Sequence, residues 1–170
     1  MTTEPRVKDI MRDDFGSILP GATVHEAVEK LYVPDKNRDE TGVLETQSLI
    51  VVDEDGNLEG LVTMFDILRT VVPPYLREAE HLTGISWEGL FEDAVHQAEN
   101  RVVKDIMTPW RDVLTVAPDD RVMKVLELIV SEHVLRLPVC EERRVVGVVR
   151  LRDVFHEVGR EMLRLKRSRE

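Results

Sequence analysis

The pentapeptide VKDIM occurs at residues 7–11 and again at 103–107, where it runs on into Thr108 and Pro109. Five identical residues 96 positions apart, in a chain that is not of low complexity, mark an internal repeat, so the repeat is placed before any single element. After the first copy comes SILPGATVHEAVEKLY (17–32), and after the second LTVAPDDRVMKVLELIV (114–130), with Pro20 opposite Pro118. Val24, Ala27, Val28, Leu31 and Tyr32 follow the i, i+3, i+4, i+7, i+8 spacing of one helix face. Val122, Val125, Leu126, Ile129 and Val130 repeat that spacing at a constant offset of 98.

Two β-branched runs and a further helix follow in each copy, as SLIVVDEDGNLEGLVTMFDILRTV (48–71) and RLPVCEERRVVGVVRLRDVFHEV (136–158). DEDGN and EERR read as turns joining adjacent antiparallel strands, the first carrying the Asp-Gly signal of a hairpin. Gly60 and Gly147 match, each three residues before Thr63 or Arg150. The unit is therefore β-α-β-β-α written twice, an α/β chain of the α+β type. One unit alone leaves a sheet face uncovered, which predicts closure by pseudo-twofold pairing of the two. The expected boundaries are repeat one at 1–68, a helical connector at 69–102, and repeat two with its C-terminal helix at 103–170.

Two segments break the symmetry. Residues 33–48 are polar and longer than their counterpart SEHVLR, which predicts a surface loop. In the connector, Pro73 and Pro74 should stop the preceding helix near residue 72, and Ser86 is placed to cap a helix carrying Trp87, Leu90, Phe91 and Val95. Those aromatics serve packing or a subunit interface. The C-terminal helix from about 151 is expected to bury Leu151, Val154, Phe155, Val158, Met162 and Leu165.

Composition narrows the functional classes. With 42% hydrophobic and 33% charged residues the 170-residue chain can bury a core and reads as a soluble globular protein. Lys and Arg number 23 against 33 Asp and Glu, a net charge of -10, which argues against nucleic acid as a partner because counterion release needs concentrated basic charge. No apolar run approaches bilayer length and the N-terminus shows no apolar signal core, so no membrane role is expected and a cytoplasmic location is. The single cysteine, Cys140, reads as a buried apolar residue. His25, His81, His96, His133 and His156 show no metal-ligand spacing, and the motifs of serine hydrolases, P-loops and dinucleotide folds are absent, so neither a metal nor an enzymatic activity is expected.

The most specific signal is GLVTMFD (60–66), a strand delivering a hydroxyl and then an aspartate at a helix start. A helix N-terminus suits phosphate, and a carboxylate one turn inside can accept ribose hydroxyls; equally, Thr63 and Asp66 can form a capping box satisfying only their own backbone. Repeat two reads GVVRLRD (147–153), keeping Asp153 but replacing the threonine by Arg150. That arginine suits a phosphate or another carboxylate, or simply a surface pair with Asp153 or Glu157.

Taken together, the two VKDIM segments, the proline-led helices, the LPV strand (Leu137, Pro138, Val139) and the G-h-h-[TS]-x-x-D pattern resemble a tandem pair of CBS domains, the Bateman module. The resemblance covers the chain apart from 33–48 and much of 69–102. It implies a regulatory sensor with no required cofactor, binding AMP, ADP, ATP or S-adenosylmethionine in clefts between the repeats. It also implies assembly as a homodimer and a protein target not named by the sequence. The alternative is a structural oligomerisation or protein-interaction module with degenerate sites. Carried over by position, ribose and phosphate fall to Thr63, Asp66, Arg150 and Asp153. The base falls to Ile18, Leu49, Ile50 and Val51 in repeat one and to Val116, Leu137, Pro138 and Val139 in repeat two. Ile50 stands where the pattern has proline.

Overall fold

The computed structural model describes residues 4–33, 43–44 and 46–168. Along the chain come α1 (Val7–Ile10), β1 (Ser17–Ile18), α2 (Val24–Leu31), β2 (Tyr32–Val33), β3 (Val43–Leu44), β4 (Ser48–Val52), β5 (Leu58–Thr63) and α3 (Met64–Val71). Then follow α4 (Pro74–Glu78), α5 (Leu90–Ala98), α6 (Val103–Ile106), β6 (Thr108–Pro109) and a single 3-10 turn at Trp110–Asp112. α7 (Val122–Glu132), β7 (Arg136–Glu141), β8 (Arg144–Arg150) and α8 (Leu151–Arg167) complete it. The mixed α+β architecture expected from the repeat is the one observed.

Two compact units form, one from Gly16–Glu54 with Glu59–Val113, the other from Met1–Phe15, Asp55–Leu58 and Leu114–Glu170. They exchange the repeated pentapeptides: the first VKDIM belongs to the unit holding most of repeat two, and the second to the unit holding most of repeat one. The packing explains why these five residues are written twice. In the unit of repeat two, fully buried Val7 joins Val116, Val122, Val125, Ile129, Leu137, Val139, Val149 and Val154 in one core. Met11 follows, and its Sδ lies 3.0 Å from where a Cβ on Gly147 would stand, with the Arg12 carbonyl oxygen at 2.8 Å. In the unit of repeat one, Val103 joins Ile18, Val24, Ala27, Leu31, Leu49, Val51, Val62 and Ile67. There Met107 Sδ is 2.7 Å and the Thr108 carbonyl oxygen 2.4 Å from a Cβ built on Gly60. Each pentapeptide thus supplies a core valine and a methionine laid against a glycine that has no side chain to obstruct it.

In the unit of repeat one the sheet order is β1-β4-β5-β6. β1 runs parallel to β4, pairing Ser17 with Ile50 and Ile18 with Val51, and β6 is antiparallel to β5, with Gly60 opposite Pro109. α2 starts at a capping box in which the Thr23 hydroxyl accepts from the Glu26 N–H and the Glu26 carboxylate accepts from the Thr23 N–H. It buries Val24, Ala27 and Leu31, while Val28 stays at the surface. In the unit of repeat two β7 and β8 form an antiparallel hairpin whose turn carries Glu142 at φ 57. The counterpart of β1 is reduced to a single parallel bridge, Val116 with Val139.

Several expectations are corrected. α3 ends at Val71 as the prolines predict, but Pro74 then opens the short α4, since proline at a first helical position loses no hydrogen bond. Ser86 does not cap a helix; α5 starts four residues later, behind Gly89 in the left-handed region at φ 70. Trp87 and Phe91 are exposed rather than packed, and α5 buries only Ala98. α8 buries only Val154, leaving Leu151, Phe155, Met162 and Leu165 exposed, because α1, α7 and β8 cover one narrow side of it. Val130, matched to the buried face of α7, is exposed as well. Most of the 33–48 segment lies outside the described residues; what is described pairs Tyr32 with Leu44 and Val33 with Val43 in a small antiparallel ladder.

Candidate functional site

Thr63 ends β5 and the Met64 N–H donates to the Gln47 carbonyl at 2.9 Å, which fixes where α3 begins. With Thr63 extended at φ -109, its N–H donates to Asp66 Oδ2 at 2.9 Å and its hydroxyl donates to the same oxygen at 3.0 Å. The Thr63 hydroxyl in turn accepts from the Asp66 N–H at 3.2 Å. The capping box is real, and it consumes only Oδ2. Asp66 Oδ1 is left out of the cap, on a half-buried carboxylate in the first turn of α3. The two readings of this motif are therefore compatible, because cap and ligand would use different oxygens.

Repeat two solves the same backbone problem differently. Leu151 N–H donates to the Leu135 carbonyl at 2.9 Å, placing α8 as Met64 places α3. The Arg150 N–H donates to Asp153 Oδ2 at 3.1 Å, but a guanidinium has no acceptor, so the reciprocal half of the box is missing. Instead Arg150 grips the carboxylate in a fork, Nε to Oδ2 and Nη2 to Oδ1, both at 2.8 Å. Of the pairings open in the sequence the one to Asp153 forms; Glu157 pairs with Arg160. Both oxygens of Asp153 are engaged, and its side chain is only 14% exposed. Burial pushes this carboxyl upward, but the Arg150 hydrogen bonds and charge outweigh it and hold it below the ordinary aspartate range.

The surroundings are cationic for so acidic a chain. Arg136 lies directly opposite Arg150 across the β7–β8 ladder, and burial, then the charge of Arg150, lowers its pKa. Arg12 donates to Asp14 at 3.3 Å and adds positive charge near Asp153. Sequence reasoning missed Arg136, Arg12 and Asp14. A straight hairpin count from the EERR turn would set Arg136 opposite Val149; the register shift between Val139 and Cys140 is what brings it opposite Arg150, and nothing in the spacing shows that shift.

Every base-contact candidate is buried. Leu49, Ile50, Val51, Leu137 and Val139 have no exposed surface, Val116 and Ile18 have 3% and 4%, and Pro138 is buried beside them. Ile18 and Ile50 sit on neighbouring strands of the sheet that ends in Thr63, and Val116 bridges Val139 on the hairpin that ends in Arg150. Each unit thus brings its own strand candidates and its own Asp into one sheet-and-helix element. A depression of about 480 Å³ lined by Leu19–Ala22, Glu26, Asp53 and Glu54 is a separate feature. It opens at the C-terminal ends of β1 and β4, whereas Thr63 lies against Gln47 at their N-terminal ends. Among the described residues no group of three or more His, Cys, Asp and Glu is placed to hold a metal, and no helix is long and apolar enough to cross a membrane.

Comparison with known proteins fixes the class. The CBS domain family model matches residues 7–73 and 103–160, and the chain belongs to that family as a tandem pair. Among curated relatives, homoserine O-acetyltransferase of Methanohalobium evestigatum is 27% identical over 149 residues, covering 87% of this chain but 23% of its own length. The chain therefore spans about a quarter of that enzyme. The solved structure of CBSX2 in complex with AMP matches 95% of this chain and 98% of its own, with a TM-score of 0.63 and 22% identity. The CBS domain pair of protein MJ0100, in complex with 5-methylthioadenosine and S-adenosylmethionine, matches 94% of this chain and 99% of its own, with a TM-score of 0.62 and 23% identity. The cytosolic domain of the Mg2+ channel MgtE in complex with ATP matches 86% of this chain and 46% of its own, at 26% identity and a TM-score of 0.55.

Proposed function

We propose that this chain is a non-catalytic regulatory module that binds an adenine nucleotide, AMP, ADP, ATP or S-adenosylmethionine, with repeat one as its working site. The observation that carries the reading is the division of labour at Asp66, where Oδ2 closes the cap and Oδ1 remains for the ribose hydroxyls. Phosphate is drawn to the positive end of the α3 dipole, where the cap already uses the Met64 and Asp66 N–H groups, and the base is received by the rim of the edge strand β1 near Ile18. The ligands seen in CBSX2 and in MgtE belong to those proteins and support the ligand class. In repeat two the Arg150 fork occupies the carboxylate that ribose would need, which favours a degenerate or conditional site there. Regulation follows if the bound form is recognised by a protein target through a different surface.

Thermal melts with AMP, ADP, ATP and S-adenosylmethionine in parallel test this. A ligand at 100 times its dissociation constant adds about 2.7 kcal/mol, which raises the midpoint of a chain this size by roughly 5 to 10 °C. The shift produced by ligand, not the midpoint itself, is compared between variants, because Asp66→Ala also removes half of a cap. Asp66→Asn keeps a cap acceptor and should still lose the ligand shift, while Asp153→Asn should keep it. Flat curves with all four ligands would leave a protein-interaction module as the better account, and a shift lost only in Asp153→Asn would move the site to repeat two.

A further inference from the structure

The connector combines exposed aromatic side chains with a long run of uncompensated negative charge. Residues 78–99 contain Glu78, Glu80, Glu88, Glu92, Asp93 and Glu99 and no Lys or Arg, within a chain whose net charge is -10. Among the described residues only Glu99 of the six is ion-paired, to His96 at 2.9 Å and His25 at 3.7 Å. Trp87, Phe91 and Val95 stand four residues apart and are 59%, 72% and 39% exposed. Phe91 and Val95 share a face of α5, and the row runs back into the turn ahead of it, where the Leu90 N–H donates to the Trp87 carbonyl at 3.4 Å. Glu88 and Glu92, each one position further on, form a second exposed row beside the first. We propose that this face of α5, with the turn ahead of it, is a docking surface for a cationic amphipathic helix of a protein partner.

The chemistry of the two rows selects the occupant. Their complement is a helix with an apolar row beside a row of Lys and Arg, since rows of side chains four apart on two helices interdigitate. Its cations meet the carboxylates of Glu88 and Glu92 and lie over the rings of Trp87 and Phe91. The same charge disfavours the other occupants. A second copy would bring the same acids to the face, setting like charges against one another across the contact. Lipid headgroups of the anionic leaflet and nucleic acid are repelled for the same reason. The face is presented without any ligand, because α5 packs on α3, buries Ala98, and is tied at its C-terminal end to the start of α2. There the His25 N–H donates to the Glu99 carbonyl at 3.0 Å and the Val24 N–H to the Arg101 carbonyl at 2.8 Å. The segment lies between the two stretches matched as CBS domains, so it is no part of the fold the repeats share. Docking here stands apart from nucleotide binding in repeat one and does not rest on it.

The probe is a synthetic leucine–lysine peptide with its leucines on one helix face, and its control is a peptide of the same composition with the leucines scrambled around the helix. The chain has two tryptophans, so Trp110→Phe leaves Trp87 as the reporter, and docking reads as a shift of its emission to shorter wavelength. Titrated in that background without nucleotide, the amphipathic peptide should bind and the scrambled one should not. Binding should weaken when salt is raised from 0.1 M to 1 M, which cuts the screening length from about 10 Å to about 3 Å. Phe91→Ser should weaken it at least about tenfold, and Glu88→Lys combined with Glu92→Lys should weaken it as well. Met123→Ser is the control: Met123 is 65% exposed on α7, as open as Phe91, and its loss should change nothing. All these side chains are exposed, and circular dichroism checks that folding is intact. No emission shift, an equal shift with the scrambled peptide, or an equal loss in Met123→Ser and Phe91→Ser would each overturn the proposal. So would a peptide-free dimer that Phe91→Ser dissolves, which would give the face to a second copy.

Discussion

Replacing Gly60 by alanine tests the contact that gives the repeated pentapeptide its meaning. An added Cβ would stand 2.4 Å from the Thr108 carbonyl oxygen and 2.7 Å from Met107 Sδ. The sulfur sits on a flexible side chain and can move, but the oxygen belongs to backbone that pairs Gly60 with Pro109, so β6 itself has to shift. Overpacking of this kind costs about 1 to 3 kcal/mol, and a backbone obstacle puts the expected value near the top of that range. At roughly 2 to 4 °C per kcal/mol for a chain this size, the midpoint should fall by about 5 to 10 °C. Gly147→Ala meets the Arg12 oxygen at 2.8 Å and Met11 Sδ at 3.0 Å and should cost less. Gly21→Ala meets nothing within 4 Å and should stay within ~0.5 kcal/mol of wild type. Urea denaturation followed by circular dichroism reads all three. If Gly60→Ala matches Gly21→Ala, the methionine-on-glycine account of the pentapeptide is wrong.

Two further outcomes follow from the titrating groups. The depressed carboxyl of Asp153 contributes stability that is complete above the unfolded pKa of about 3.9 and is lost as pH falls through its lower folded value. Arg150→Met removes the guanidinium's hydrogen bonds and charge and leaves burial opposed only by the backbone N–H of residue 150 and the charge of Arg12, so the variant should begin to lose stability at a higher pH than wild type; superimposable pH profiles of the urea midpoint would refute this. Burial pushes the Cys140 thiol up to about 11. It should therefore resist a disulfide reagent at pH 8 in the native protein and react at once in urea, and rapid native labelling would contradict its place in the structure.

Much of the fold was legible because packing writes in periods. The offset between Val24 and Val122 located two helices, and the core residues Val24, Ala27 and Leu31 match Val122, Val125 and Ile129. What the sequence could not show was which unit each VKDIM would join, since nothing in five residues says whether the glycine they cover lies in their own repeat or the other. Periodicity misleads at α8, where the apolar stripe predicts burial and only Val154 is buried. Ser86 failed as a cap for a simpler reason: Gly89 reaches the left-handed backbone at no steric cost, and the helix starts behind it.

The candidate site was legible by position and illegible by state. Thr63, Asp66, Arg150 and Asp153 all stand at helix starts, as the motif required. Whether a carboxylate oxygen remains for a ligand depends on geometry that spacing does not encode, and here it separates the repeats: Asp66 keeps Oδ1, Asp153 keeps neither. The repeats are most alike where they pack, in the valine, methionine and glycine of the pentapeptide contact, and differ where chemistry would occur. Either Thr63 or Arg150 can engage the aspartate three residues on, so the fold tolerates both, and selection on the fold alone has no reason to keep the hydroxyl. Arginine at 150 therefore engages both oxygens of Asp153 without disturbing the helix start, whereas threonine at 63 holds its helix start through one oxygen of Asp66 alone.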